Sequence, residues 1–171
     1  MKGCVQVYTG DGKGKTTAAL GLALRAAGAG LKVYFGQFLK DGTSSEIQVI
    51  RRVLPEVTVE HFGRPRFVRR NPSARDISDA AAGLQKLRTA LLSRNYDVVV
   101  ADEINVATDK GLLSVSDVLD LLSDRPAGVE FILTGRSADP RICKQADLIT
   151  EMCKVKHYYD GGTTARKGIE T

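Results

Sequence analysis

Apolar positions along this chain follow two periods that take turns. Cys4 to Tyr8 (CVQVY) alternates with the period of two that marks a strand. Lys15 to Ala29 is rich in alanine and leucine, and the sequence predicts a helix there, closing near Gly28 and Gly30. Strand patterns return at Lys32 to Phe38, Val57 to Phe62, Asp97 to Ile104, Val129 to Thr134 and Asp147 to Lys156. Between them lie predicted helices at Ser44 to Leu54, Asp76 to Asn95, Ser114 to Leu122 and Pro140 to Ala146. In the Asp76 helix, Ala80, Leu84, Leu87 and Leu91 recur at three- and four-residue steps. A loop is expected from Gly63 to about Arg75.

Strands alternating with helices at this rhythm predict a three-layer α/β fold: a mostly parallel sheet with helices on both faces. No repeat or linker divides the chain, so residues 1–171 read as a single domain. Ligands of such sheets bind beyond the carboxyl ends of the strands. Those ends fall at Thr9, Phe38, Phe62, Asp102 and Thr134.

Composition narrows the class. At 43% hydrophobic the chain can bury a full core, yet no apolar run approaches the roughly 20 residues that span a bilayer. The N-terminus lacks a signal-peptide pattern, and a cytoplasmic protein is expected. Cys4, Cys143 and Cys153 have no metal-ligand spacing and read as reduced thiols. A net charge of +5 suits anionic partners without choosing among them.

The candidate chemistry begins at YTGDGKGKTT, residues 8–17. Gly10, Asp11, Gly12, Lys13, Gly14, Lys15, Thr16 and Thr17 follow a predicted strand and open a predicted helix, the context a phosphate-binding P-loop needs. Glycines let successive amides turn toward one anion, the helix N-terminus adds partial positive charge, and Lys15 reaches the phosphates. Thr16 offers a hydroxyl to Mg²⁺. The usual pattern has glycine where Thr9 stands, and Lys13 is an additional cation, so the phosphates are expected to lie differently than in an ordinary ATPase. The apolar run VVVADEI ends in Asp102 and Glu103, the acidic partners a P-loop metal needs. Spacing alone does not say which of the two faces the metal.

TGDGKGKTTAALGLALRAAG, GQFLK, VVVADEIN, ILTGR, ADLITEM and KVKHYYDGGTTARKGIE occur in that order. Together they closely resemble the ATP:corrinoid adenosyltransferase family, from about Gly3 to Glu170. The resemblance implies a RecA-like P-loop fold, a homodimer, a requirement for Mg²⁺ or Mn²⁺, and ATP bound in reversed direction. The implied reaction moves the 5′-deoxyadenosyl group of ATP to the Co(I) of cob(I)alamin or a corrinoid precursor and releases triphosphate, in adenosylcobalamin biosynthesis or salvage. Lys13, Lys15 and Glu103 would be its catalytic residues. Thr16 and Glu103 would contact the metal with Asp102 in support, and Arg25 and Arg136 would contact the nucleotide.

Phe62 and Phe67 are the aromatics available to displace a corrinoid's lower axial ligand; for Phe62, core packing is the equal alternative. The chain holds no tryptophan, so any family pattern that uses one is not reproduced. Gln37, Lys40, Lys156 and His157 read equally well as structural. Arg64, Arg66, Arg69, Arg70 and Arg75 form a solvated loop, a rim for corrinoid substituents or a docking site for an acidic electron donor such as a flavodoxin. Many members carry a covering segment ahead of the first strand, which here is expected to begin by about Gly3. The rival function is a RecA-like, nucleic-acid-dependent ATPase. Five tyrosines, five phenylalanines and no aromatic-interleaved basic face argue against it.

Overall fold

A computed structural model describes residues 2–40, 42, 44–63 and 72–170. The strands are β1 (Val5–Thr9), β2 (Val33–Phe38), β3 (Val57–Phe62), β4 (Val98–Asp102), β5 (Glu130–Thr134) and β6 (Leu148–Glu151). They form one sheet in the order β3-β2-β4-β5-β1-β6, and every pairing is parallel. The helices are α1 (Lys15–Gly28), α2 (Ser45–Val53), α3 (Ala74–Leu92), α4 (Ile104–Asp109), α5 (Val115–Asp124) and α6 (Pro140–Gln145). A 3₁₀ turn, Tyr158–Gly161, opens the C-terminal tail.

Strand pleating divides the core between two faces. Tyr8, Val33, Phe35, Val98, Val100 and Ile132 pack under α1 and α2. Val5, Val7, Tyr34, Val99, Ala101, Phe131 and Leu133 pack under the helices of the other face, with Leu84, Leu87 and Leu91 of α3, Val118 and Leu121 of α5, and Ile142 of α6. The central strand β4 is buried along its whole length, which accounts for its continuous apolar run. Among the described residues, no helix is long and apolar enough to cross a membrane.

Several boundaries differ from the sequence pattern. The long helix starts at Ala74, because Ser73 and Asp76 form a capping box that holds its first turn. The strand read to Ile104 stops at Asp102. Glu103 takes a left-handed conformation, φ 63°, and turns the chain at once into the short helix α4, which the pattern did not reveal. The last strand is four residues long, and residues 152–156 lie beyond it. Cys4, Cys143 and Cys153 are free thiols.

Candidate active site

All five strand ends named above meet the same edge of the sheet. Parity then selects which side chains face α1. Gln37 follows Val33 and Phe35, Asp102 follows Val98 and Val100, and Thr134 follows Ile132, so all three point to the α1 side. Register places Gln37 beside Asp102. Thr16, in the first turn of α1, hangs over them.

The result is a carboxylate with four donors. Asp102, fully buried, accepts at Oδ1 from the Thr16 hydroxyl at 2.9 Å and the Thr134 hydroxyl at 2.6 Å. At Oδ2 it accepts from the Gln37 amide and the Lys40 ammonium, each at 2.9 Å. The Lys40 ammonium also reaches Thr16 Oγ1 at 3.4 Å. Burial pulls the Lys40 ammonium down, but the charge and hydrogen bond of Asp102 outweigh it and the net shift is upward. Among the described residues, the buried Gln37 Oε1 atom has no partner.

Glu103 donates its backbone N–H to Thr134 Oγ1 at 3.0 Å. Its carboxyl is pushed upward, first by burial and then by the negative charge of Asp102. Lys40, Lys15 and Arg136 are the cations that oppose that shift. Arg136 is exposed, in the turn after β5, close enough to depress Lys15 by its charge.

The glycine-rich loop is held from two sides. Lys15 is buried and donates to the carbonyls of Gly10 at 2.6 Å and Gly12 at 2.7 Å. Burial first, and Arg136 second, push its ammonium downward. Outside the loop, the segment after β6 lies against it: Met152 donates to the Thr9 carbonyl at 2.9 Å and accepts from the Gly12 N–H at 2.6 Å. A Cβ on Gly12 would stand 2.6 Å from the Met152 oxygen, so this approach requires glycine. Gly14, at φ 120°, occupies backbone space closed to other residues just ahead of α1. The Gly12 amide is thus paired with the Met152 carbonyl.

The other expected residues separate. Asp11 and Thr17 sit with the loop and the first turn of α1. Arg25 lies ten residues along α1, roughly 15 Å from Lys15 by helical rise, on exposed surface. Phe62 is a core residue: its ring meets Phe38 edge-on at 5.0 Å and packs on Gly36 and Gly83. Of the two readings left open for Phe62, the enclosure of its ring under α3 supports core packing. Phe67, Arg64, Arg66, Arg69 and Arg70 lie outside the described residues. His157 caps the 3₁₀ turn, its Nδ1 accepting from the Tyr159 N–H at 3.1 Å, which gives it a structural role.

The family model for ATP:corrinoid adenosyltransferase BtuR/CobO/CobP matches residues 1–171. The chain belongs to this family. It is 36% identical over 170 residues to the corrinoid adenosyltransferase of Pseudomonas aeruginosa, covering 99% of this chain and 84% of that one. The corrinoid adenosyltransferase of Escherichia coli K12 is 34% identical over 171 residues, covering 99% and 86%. Among solved structures, a KaiC-like protein of Pyrococcus horikoshii superposes with a TM-score of 0.55 at 17% identity, covering 97% of this chain and 74% of that one. The cytoplasmic domain of EssC superposes at 0.53 and 16% identity, covering 97% and 34%. At such identities these two show the fold alone. Loop, acidic strand and sheet order together make this adenosyltransferase a P-loop protein of RecA-like architecture.

Thr134, named in the sequence only as a strand end, bonds Asp102 and the Glu103 amide, contacts that sequence reasoning missed. Its signal was available: it ends β5 with the same face parity as Asp102 ends β4. Gln37 and Lys40, left open between structural and site roles, both hold Asp102.

Proposed function

We propose that residues 10–17 cradle the triphosphate of ATP while a reduced corrinoid takes the adenosyl carbon. The single observation that carries this reading is the buried Lys15 ammonium enclosed by the loop, next in sequence to Thr16, whose hydroxyl is bonded to Asp102. In this reaction the electron pair of Co(I) forms the cobalt–carbon bond to C5′. The C5′–oxygen bond breaks, and its pair leaves with triphosphate. No proton moves, so no general base is required. The chain's work is to hold C5′ in line and to receive negative charge at the leaving group. Lys15, Lys13 and Arg136 supply cations for that purpose. Phe67 is kept as the candidate aromatic on the corrinoid side, and Arg25 as a nucleotide contact beyond the loop.

The oxygen donors of Thr16, Asp102 and Glu103 suit a hard divalent cation such as Mg²⁺ or Mn²⁺. Among the described residues, no cluster of three or more His, Cys, Asp or Glu could hold a metal alone. The partial shell fits a cation that keeps waters and substrate phosphates as its other ligands. The unpartnered Gln37 Oε1 is an acceptor for such a water. When bound, the cation would neutralise phosphate charge. Lys40, now paired with Asp102, must share that carboxylate with it.

In this reading the chain works as a dimer, as its family resemblance implies, receives electrons from an acidic donor such as a flavodoxin at its arginine-rich loop, and acts in a cytoplasmic setting. Light scattering of the purified chain checks the dimer. The loop assignment is tested by Lys15→Ala: turnover with cob(I)alamin, ATP and Mg²⁺ is expected to fall by about 10²-fold or more. Near-parental turnover in a folded variant would remove the loop from the reaction.

A further inference from the structure

Lys13 is the cation that sets this loop apart, and the C-terminal tail holds it. Its ammonium donates to the Tyr158 hydroxyl at 2.9 Å, the Ile169 carbonyl at 3.0 Å and Glu170 Oε1 at 3.0 Å. An ammonium has three N–H donors, so these acceptors use all of them. The acceptors are themselves knitted together. The Tyr158 hydroxyl donates to Glu170 Oε1. Arg166 donates to Glu170 through its backbone N–H at 2.8 Å, its Nε at 3.3 Å and its Nη2 at 3.1 Å. The Arg166 guanidinium lies over the Tyr158 ring, 4.8 Å from its centre. Hydrogen bonds from Arg166 first, then Tyr158, hold the Glu170 carboxyl far below the usual range, so it stays charged.

The tail is anchored at both ends of this arrangement. Met152 ties its start to Thr9 and Gly12, and Glu170 ties its far end to Lys13, bracketing the loop. A phosphate arriving at Lys13 meets a cation whose donors are all taken and a carboxylate of like charge beside it.

We propose that Glu170 is a positioning residue for the adenosyltransferase reaction: it competes with the phosphates for Lys13, and the grip of the tail sets how tightly triphosphate is kept. This rests on the reading that residues 10–17 take the phosphates. Removing the competitor frees the ammonium and removes a repulsion, so anion affinity rises. A tail that merely staples the loop would behave the opposite way, because loosening it would leave affinity unchanged or weaken it.

The test is calorimetric titration of sodium tripolyphosphate into the full chain and its Glu170→Gln, Lys13→Met, Lys15→Ala and Glu170→Gln/Lys13→Met variants. Glu170→Gln is expected to bind about threefold to tenfold more tightly, and Lys13→Met more weakly. In the Lys13→Met background, the Glu170→Gln gain is expected to shrink below about twofold. Equal or weaker binding by Glu170→Gln, or a full gain without Lys13, would overturn the proposal. If Lys15→Ala binds tripolyphosphate like the parent, the phosphate-loop reading itself fails. Loss at Lys15→Ala with no gain at Glu170→Gln overturns the tail's role alone.

Discussion

Thr16 and Asp102 are joined by a 2.9 Å hydrogen bond that spans 86 residues of sequence. It fastens the first turn of α1 to the carboxyl end of the central strand. The loop between β1 and α1 thus has a fixed end, and its hydroxyl and the acidic pair form one unit. The same carboxylate is the counter-ion of Lys40, so loop, central strand and the turn after β2 share one buried charge.

That sharing predicts a separable double variant. Asp102→Asn leaves the mostly buried Lys40 ammonium without its partner, and stability is expected to drop by about 3 kcal/mol. Adding Lys40→Met removes the stranded charge. Urea unfolding should show most of the loss recovered in the double variant, while turnover stays absent because the acidic side of the site is gone. Recovery of turnover together with stability would refute the role given to Asp102.

Glu103 gives a pH signature. Burial and Asp102 raise its carboxyl above the ordinary value of 4.5, so the folded state holds the Glu103 proton more tightly than the unfolded chain. The stability this confers is complete below 4.5 and is lost as pH rises through the raised folded value. Glu103→Gln should therefore match the parent in melting temperature at about pH 4 and exceed it at about pH 8. An equal difference at both values would show that the charge of Glu103 is not what burial opposes.

Phe62 is predicted to act through the core. A Cβ on Gly83 would lie 2.3 Å from Phe62 Cβ, deep under α3. Although alanine favours helices over glycine, Gly83→Ala is expected to cost about 1–3 kcal/mol by overpacking. Chemical denaturation measures it. A stabilised Gly83→Ala protein would mean that the Phe62 ring is free to move.

Much of this site is legible in the sequence, for definite reasons. The strand ends come from period and parity, which depend on the local chain: those at Thr9, Phe38, Phe62 and Thr134 fall where the pattern places them, while the strand pattern that ran on to Ile104 ends at Asp102. The phosphate loop and the acidic pair are contiguous motifs. Asp102's partners are harder to read: Thr134 and Gln37 reach it only through strand order, which places β2 and β5 on either side of β4. The turn at Glu103 escapes because a left-handed glutamate has no compositional signal. Lys13's partners escape because Tyr158 and Glu170 lie 145 and 157 residues away. Phe62 reads as a strand-end aromatic either way, and only the glycines at positions 36 and 83 reveal that its ring is enclosed.

The central claim is that the nucleotide's three phosphates leave together. An anaerobic reaction of the purified chain with cob(I)alamin, ATP and Mg²⁺, followed by phosphorus NMR and by the light-sensitive cobalt–carbon absorbance, measures this directly. Intact triphosphate appearing in step with alkylated cobalt is the expected result. ADP and orthophosphate with no alkylated cobalt would contradict the account.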